Sequence, residues 1–254
     1  MTELPLVLLH AFPLDARMWD PVRAPLAERF RVITPDQRGL GRSPLPETPE
    51  TPETPETETE PDLADAARDV IALLDKLELD QVVLGGCSMG GYLAMAVLRQ
   101  APERVGGLIL IDTKATADTP EAAQTRLDVA NRAEAEGVKG WLADGNLPKL
   151  LADTASADVR ARVRELIDEQ PPSGVAWAAR AMRNRPDSVD LLRETEVPAL
   201  VIVGERDALT PLDAANTMVE ALPDATLAVL PEVGHLTPLE DPAGVVEAIL
   251  SWLS

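Results

Sequence analysis

Cysteine and histidine are almost absent from this chain. It holds one of the first, Cys87, and two of the second, His10 and His235. A lone thiol cannot close an internal disulfide. Nor does the sequence hold a cysteine–histidine cluster, so no metal is expected. It has no phosphate-cradling glycine loop and no dinucleotide fingerprint, so no cofactor is expected. No run reaches the roughly 18 consecutive apolar residues of a membrane span. Positive charge is scarce too. Lys and Arg number 23 against 43 Asp and Glu, a formal net charge of −20. That balance argues against nucleic acid and against anionic membrane as partners, since both need a basic surface. It does not call for a cationic ligand, because solubility alone accounts for many surface carboxylates. The opening Met1-Thr2-Glu3-Leu4-Pro5 lacks the basic start and small-residue cleavage site of a signal peptide. The expectation is a soluble, cytoplasmic protein.

What the chain does have is a core. An apolar fraction of 45% over 254 residues fits one large domain, or one domain with a substantial insertion. Its most informative stretch is Gly86-Cys87-Ser88-Met89-Gly90, followed by Gly91. Ahead lies Gln81-Val82-Val83-Leu84-Gly85, short and rich in β-branched residues, which reads as a buried strand. Behind lies Tyr92 to Gln100, which reads as a helix. A serine between glycines at a strand-to-helix junction matches the G-x-S-x-G nucleophile elbow. So tight a turn strains the serine backbone and leaves no room for bulk at positions 86 and 90. The hydroxyl then stands at the carboxyl end of the sheet, in front of a helix amino-terminus that favours negative charge.

Taken in order, the chain alternates strands with helices. Leu6 to Leu9, Arg31 to Thr34, Gln81 to Gly85, Val105 to Ile111, Ala199 to Val203 and Thr226 to Leu230 read as strands. Asp62 is placed to cap a helix with Leu63, Ala67, Val70, Leu74 and Leu77 on one face. Thr210 with Pro211 reads as a helix start, and Asp241 with Pro242 opens a terminal helix with Val245, Val246, Ile249 and Leu250 inward. From Thr113 to about Glu196 no segment reads as a buried strand. Val159, Val163, Leu166 and Ile167, and the stretch Val175 to Met182, carry helical spacing.

The expected architecture is α/β. A mostly or wholly parallel sheet of about six strands has helices on both faces, with a core over 1–112 and 197–254. Residues 113–196 form a helical cap, and 44–61 a Glu-Thr-Pro-rich loop with nothing to bury. Ligands in such sheets bind at the carboxyl ends of strands, and Phe12, Ser88, Asp207 and His235 all follow strand ends.

A serine hydroxyl needs a base to take its proton. His235, in a loop late in the chain beside Gly234, is the candidate. An acid must then orient the imidazole. Asp207 is the first choice and Asp112, after the strand that follows the elbow, the rival. With these residues in view, the chain resembles the α/β-hydrolase superfamily over nearly its whole length. The matching pieces are His10-Ala11-Phe12-Pro13, Asp36 to Ser43, Gly86 to Gly91, Gly204-Glu205-Arg206-Asp207 and Gly234-His235. Met18-Trp19-Asp20-Pro21 and the Ser-Met-Gly-Gly elbow look like carboxylesterases and 3-oxoadipate enol-lactonases.

The resemblance implies an oxyanion hole from the backbone N–H groups of Phe12 and Met89, and a structural role for His10. Two features depart from the pattern. Ala11 stands where glycine is usual, and the leading hairpin of the family is expected to be absent, so the Arg31–Thr34 edge is expected to have nothing obvious to cover it. Cys87 is expected to point into the core. Met18, Trp141, Trp177 and Met182 are candidates to line an apolar pocket under the cap.

The reaction implied is hydrolysis of a small-molecule ester or lactone through a seryl acyl-enzyme. Thioester hydrolysis, carbon–carbon hydrolysis and cofactor-free perhydrolysis can run on the same residues. A ligand receptor without catalysis is the non-enzymatic alternative. Serine at position 88 speaks against dehalogenase and epoxide hydrolase chemistry, which this superfamily runs on an aspartate nucleophile. Few aromatics, at 3% of the chain, give little reason to expect the long greasy groove of a lipase.

Overall fold

A computed structural model describes residues 4–46 and 60–254. Among them, six strands form one sheet: β1 (Leu6–Leu9), β2 (Val32–Ile33), β3 (Val82–Cys87), β4 (Val105–Ile111), β5 (Ala199–Gly204) and β6 (Ala225–Leu230). The order across the sheet is β2-β1-β3-β4-β5-β6, and every neighbouring pair is parallel. β1, β3 and β5 are buried along their whole length. Helices cover both faces of a parallel sheet, which is why these strands read as unbroken apolar runs rather than as alternation. The edge strand β6 is partly open, with Val229 exposed. The other edge, β2, is two residues long rather than the four expected. So short an edge offers little unpaired backbone.

The helices of the core are α1 (Asp20–Ala27), α2 (Leu63–Lys76), α3 (Met89–Gln100), α9 (Leu212–Ala221), α10 (Thr237–Glu240) and α11 (Pro242–Leu253). Asp62 caps α2 by accepting from Ala64 N at 2.8 Å. Leu63, Ala67, Val70 and Leu74 are buried on its inner face. In α11 the buried residues are Val245, Ile249 and Leu253, so the inward face is turned slightly from the expected one.

Between β4 and β5 lie five helices and, among the described residues, no strand: α4 (Pro120–Glu136), α5 (Trp141–Leu150), α6 (Ala157–Asp168), α7 (Pro172–Arg183) and α8 (Val189–Arg193). Thr119 and Ser156 cap α4 and α6, accepting from Ala122 N and Val159 N. Val163, Leu166 and Ile167 are the buried face of α6. α4 and α7 pack against each other, and their buried residues include Ala130 and Ala133 on one and Ala178 and Ala179 on the other. Small residues on both sides let the two helix axes approach closely. The Glu-Thr-Pro repeat at 47–59 lies outside the described residues.

The strand order reverses between β1 and β3, because the chain first steps outward to β2 and then returns past β1. That reversal opens a crevice at the carboxyl ends of these two strands, where ligands of open parallel sheets bind. The loop bearing Phe12 follows β1, and Ser88 follows β3. Among the described residues, no helix is long and apolar enough to cross a membrane.

Candidate active site

Ser88 sits between the last residue of β3 and the first of α3, at φ 54° and ψ −112°. A side chain rarely adopts this left-handed conformation. Crowding holds it there. A Cβ on Gly86 would lie 2.1 Å from the carbonyl carbon of Gly90, and one on Gly90 would lie 2.0 Å from the Leu9 carbonyl oxygen. Both glycines are therefore required by close backbone approach. Ser88 N donates to Ile111 O at 2.9 Å, and Thr113 Oγ1 donates to Ser88 O at 2.8 Å, pinning the turn to β4. Cys87 points inward and is fully buried, and burial pushes its thiol well above the ordinary range.

The loop after β6 brings His235 to Ser88. His235 Nε2 lies 2.8 Å from Ser88 Oγ, and Nδ1 lies 2.7 Å from Asp207 Oδ2. These partners assign the tautomer: Nδ1–H donates to the carboxylate and the Nε2 lone pair faces the hydroxyl. Asp207 follows β5. Its Oδ1 accepts from Leu209 N and Thr210 N, and its Oδ2 also accepts from Thr210 Oγ1 at 2.6 Å. Burial works against the Asp207 charge, but His235 and Thr210 outweigh it and hold the carboxyl below its ordinary value. For His235, burial favours the neutral ring, yet Asp207 reverses the balance and raises its pKa above 6.5.

Asp112, the rival acid, makes no contact with the imidazole. Its Oδ2 accepts from Thr237 N and Thr237 Oγ1, and its Oδ1 from Gly204 N. It ties the end of β4 to β5 and to the start of α10. Burial, and then repulsion by Asp207, push its pKa up to about 8.

His10 is fully buried and supports the loop after β1. Its Nδ1–H donates to Ala11 O at 3.1 Å, and its Nε2 accepts from Gln37 N at 2.9 Å. Gln37 Nε2 returns a bond to His10 O at 2.6 Å. Ala11 fits because it is not among the residues with positive φ, so its Cβ costs no backbone strain. Among the described residues, the N–H groups of Phe12 and Met89 have no hydrogen-bond acceptor. Met89 is the first residue of α3, where the N–H groups have no partner within the helix.

Ser88, His235 and Phe12 open into a cavity of about 330 Å³ whose far wall is made by α4, α5 and α7. Met182 lies on that wall, but three of the expected lining residues lie elsewhere. Met18 is fully buried beneath the loop after β1, where its Sδ accepts from Ala11 N at 3.1 Å. Trp141 donates its Nε1–H to Gly137 O and stacks under Arg132, 4.2 Å from the ring centre. Trp177 faces Arg38 at 5.4 Å. Both indoles are half-buried against the core, and neither lines the cavity.

The cavity is also less apolar than expected, since Lys114, Asp118, Arg126 and Lys149 line it. Two further residues escaped the sequence analysis. Thr210 binds Asp207 rather than capping α9, whose N-cap is Pro211. Glu240 accepts from Gly234 N at 3.0 Å and from Ala152 N at 2.9 Å, tying the His235 loop to the end of α5. Among the described residues, no three His, Cys, Asp or Glu side chains cluster as metal ligands would.

A profile of the alpha/beta hydrolase family matches residues 6–248. The chain belongs to that family. The six-stranded parallel sheet and the elbow geometry are those of an α/β-hydrolase fold. Among solved structures, a thermophilic esterase from Thermogutta terrifontis, described as malate bound, is 40% identical. The match covers 99% of this chain and 90% of that one at TM-score 0.91. The enol-lactonase from Burkholderia xenovorans LB400 is 26% identical, over 99% of this chain and 92% of its own, at TM-score 0.83. The dihydrolipoyllysine-residue acetyltransferase component of an acetoin cleaving system from Pseudomonas putida is 30% identical over 98% of this chain. The chain spans 63% of that protein's length. The chain is thus similar to one protein described as an esterase and another described as an enol-lactonase.

Proposed function

We propose that this hydrolase cleaves a small ester or lactone through a seryl acyl-enzyme. The observation that carries the reading is the unbroken chain of contacts from Ser88 Oγ through His235 to Asp207, at 2.8 and 2.7 Å. Ser88 Oγ attacks the carbonyl carbon while His235 Nε2 takes its proton. The imidazolium then gives that proton to the leaving alkoxide. Water repeats the sequence on the acyl-enzyme and frees Ser88. Asp207 holds the tautomer and stabilises the imidazolium without taking the proton itself.

The N–H groups of Phe12 and Met89 receive the negative charge that develops on the carbonyl oxygen. Neither has another acceptor among the described residues, so both are free for that task. Donors fixed in advance contribute about 3–4 kcal/mol each where one has been removed. Helices α4 to α8 act as the cap. α4, α5 and α7 form the wall opposite Ser88 and set the size of the group that enters. The malate in the thermophilic esterase and the lactone chemistry of the enol-lactonase support a small substrate.

The test is pre-steady-state kinetics with an activated aryl ester. The wild type is expected to release close to one equivalent of phenol in a burst, followed by slower turnover, and Ser88→Ala to show no burst. A burst that persists in Ser88→Ala removes the proposal.

A further inference from the structure

Asp118 has more cations around it than one carboxylate can neutralise. Its side chain is 1% exposed, between β4 and α4. Arg185 Nη1 approaches it at 2.8 Å, Lys114 Nζ at 3.4 Å, and Arg126 Nε donates to it directly. Three cations on one anion leave a formal excess of two positive charges. Lys114, Asp118 and Arg126 line the cavity that holds Ser88 and His235, and Lys149 adds a further cation to the same wall. Cations are outnumbered by acids in the chain as a whole, so this concentration is against the trend of the molecule.

The cluster also keeps donors in reserve. Arg126 spends Nε on Asp118 and Nη1 on the Met182 sulfur at 3.3 Å, a weak acceptor. A guanidinium carries five N–H donors. Arg185 does not line the cavity: its Nη1 and Nη2 donate to Met182 O at 3.2 Å and Thr116 O at 2.9 Å, so it adds charge behind the wall rather than a donor to it. Burial and then Arg185 hold the Lys114 ammonium below the ordinary lysine range. Excess charge of this kind in a partly buried wall is costly until an anion arrives. Asp118 makes the arrangement possible. Burial opposes its charge, yet Arg126 and Arg185 hold its pKa at about 2, so it stays ionised and keeps the cations in place.

We infer that the substrate carries a carboxylate in addition to its ester bond, and that Lys114 and Arg126 bind it. The Arg126 fork suits the planar geometry of a carboxylate. Val129, Leu150, Ala179 and Met182 line the same cavity and provide apolar wall for a short aliphatic link between the carboxylate and the ester. The substrate class is thus a half-ester of a short dicarboxylic acid. The reaction rests on the serine-hydrolase reading above, whereas the binding does not.

The experiment compares monoethyl adipate, one carboxylate and one ester, with its neutral counterpart diethyl adipate. Ethanol release gives kcat/KM for each, with allowance for the two ester groups of the diester. The monoanion is expected to be preferred at least about tenfold, equivalent to ~1.4 kcal/mol. High salt should shrink the preference. Lys114→Gln should cut the ratio of the two kcat/KM values about tenfold, and Lys114→Arg should keep most of it. Arg126→Gln should act in the same direction. Because Arg126 also clamps Asp118, Lys114→Gln decides if that variant does not fold.

Binding is measured separately by calorimetry on Ser88→Ala, where the monoanion should bind at least about tenfold tighter than the diester. If the wild type cleaves the diester as well as the half-ester and binds both alike, the carboxylate inference fails and the hydrolase reading stands. If neither ester is cleaved by the wild type, the half-ester binding tighter still supports the carboxylate site, and equal binding removes it. Cleavage that survives Ser88→Ala counts against the hydrolase reading alone.

Discussion

The Thr210 hydroxyl donates to Asp207 Oδ2 at 2.6 Å, the same oxygen that faces His235 Nδ1 at 2.7 Å. Two donors therefore meet on one carboxylate oxygen, and part of the charge that would stabilise the imidazolium is drawn onto Thr210. The His235 pKa already lies above 6.5, with Asp207 the main cause opposing burial. A general base works in its neutral form, so kcat/KM should rise with pH through that raised value. The acid limb of the wild-type profile is expected above pH 6.5. Thr210→Val should return charge to Asp207 and move the limb to still higher pH, with kcat at the plateau reduced about tenfold or less. A limb that moves down in Thr210→Val contradicts the assignment.

The two buried aspartates should separate cleanly in mutants. Asp207→Asn presents an amide to Nδ1 and favours the wrong tautomer, which costs kcat about 10⁴-fold in a comparable arrangement. Asp112 meets Thr237 and Gly204, not the imidazole. With its pKa near 8 it is mostly protonated at pH 7, and asparagine mimics that neutral form. Asp112→Asn should hold kcat within about tenfold and lose about 1–3 kcal/mol of stability, because its NH₂ faces a backbone donor. If Asp112→Asn is the crippling change and Asp207→Asn the mild one, their roles are exchanged.

Stability and activity should run in opposite directions with pH. An acid whose folded pKa is raised, as for Asp112, is protonated when folded and ionised when unfolded between its ordinary 3.8 and about 8. Its contribution is present at low pH and is lost across that window. His235, also raised, contributes fully below 6.5 and loses its contribution as pH climbs through its folded value. Asp207, depressed, acts below that range and loses its contribution as pH falls through its folded pKa. Tm should therefore fall between about pH 5 and 8 while kcat/KM rises, and the slope should flatten in Asp112→Asn. Calorimetric scans of both proteins across that range check it. An unchanged slope in Asp112→Asn refutes the raised carboxyl.

The size of the cavity is expected to limit chain length. At about 330 Å³ it has room for a short acyl group. Each methylene adds ~0.8 kcal/mol while buried room remains, and overpacking then costs about 1–3 kcal/mol. For uncharged p-nitrophenyl esters, kcat/KM should peak at about C2 to C6 and fall by C12. A maximum at C12 or beyond, measured below the aggregation limit of the ester, means that the wall opens.

Much of this was legible in the sequence because it is local. The strand Val82 to Cys87, the crowded Gly86 and Gly90, and the helix from Met89 follow each other directly in the chain. The approach of Ser88, Asp207 and His235 follows from parallel strands whose carboxyl ends share one edge. What escaped depends on partners far apart in sequence. Thr210 looks like a helix cap because Pro211 follows it, and its turn toward Asp207 depends on where the loop after β5 lands. Residue type alone points Trp141 and Trp177 toward a pocket. Arg132 and Arg38, brought in by other elements or loops, lie over their rings, and neither indole lines the cavity. The charged wall joins Lys114 and Asp118 from one loop with Arg126 from α4 and Arg185 from beyond α7, and no periodicity links them.

The central claim is that one hydroxyl, on Ser88, is the nucleophile. A fluorophosphonate reacts with a serine whose proton is taken by a neighbouring base, and the adduct is visible in the intact mass and in the peptide map. The account predicts one adduct per chain on Ser88, none in Ser88→Ala, and labelling that slows as pH falls below the raised His235 pKa. An adduct on another residue, or undiminished labelling of Ser88→Ala, would contradict it.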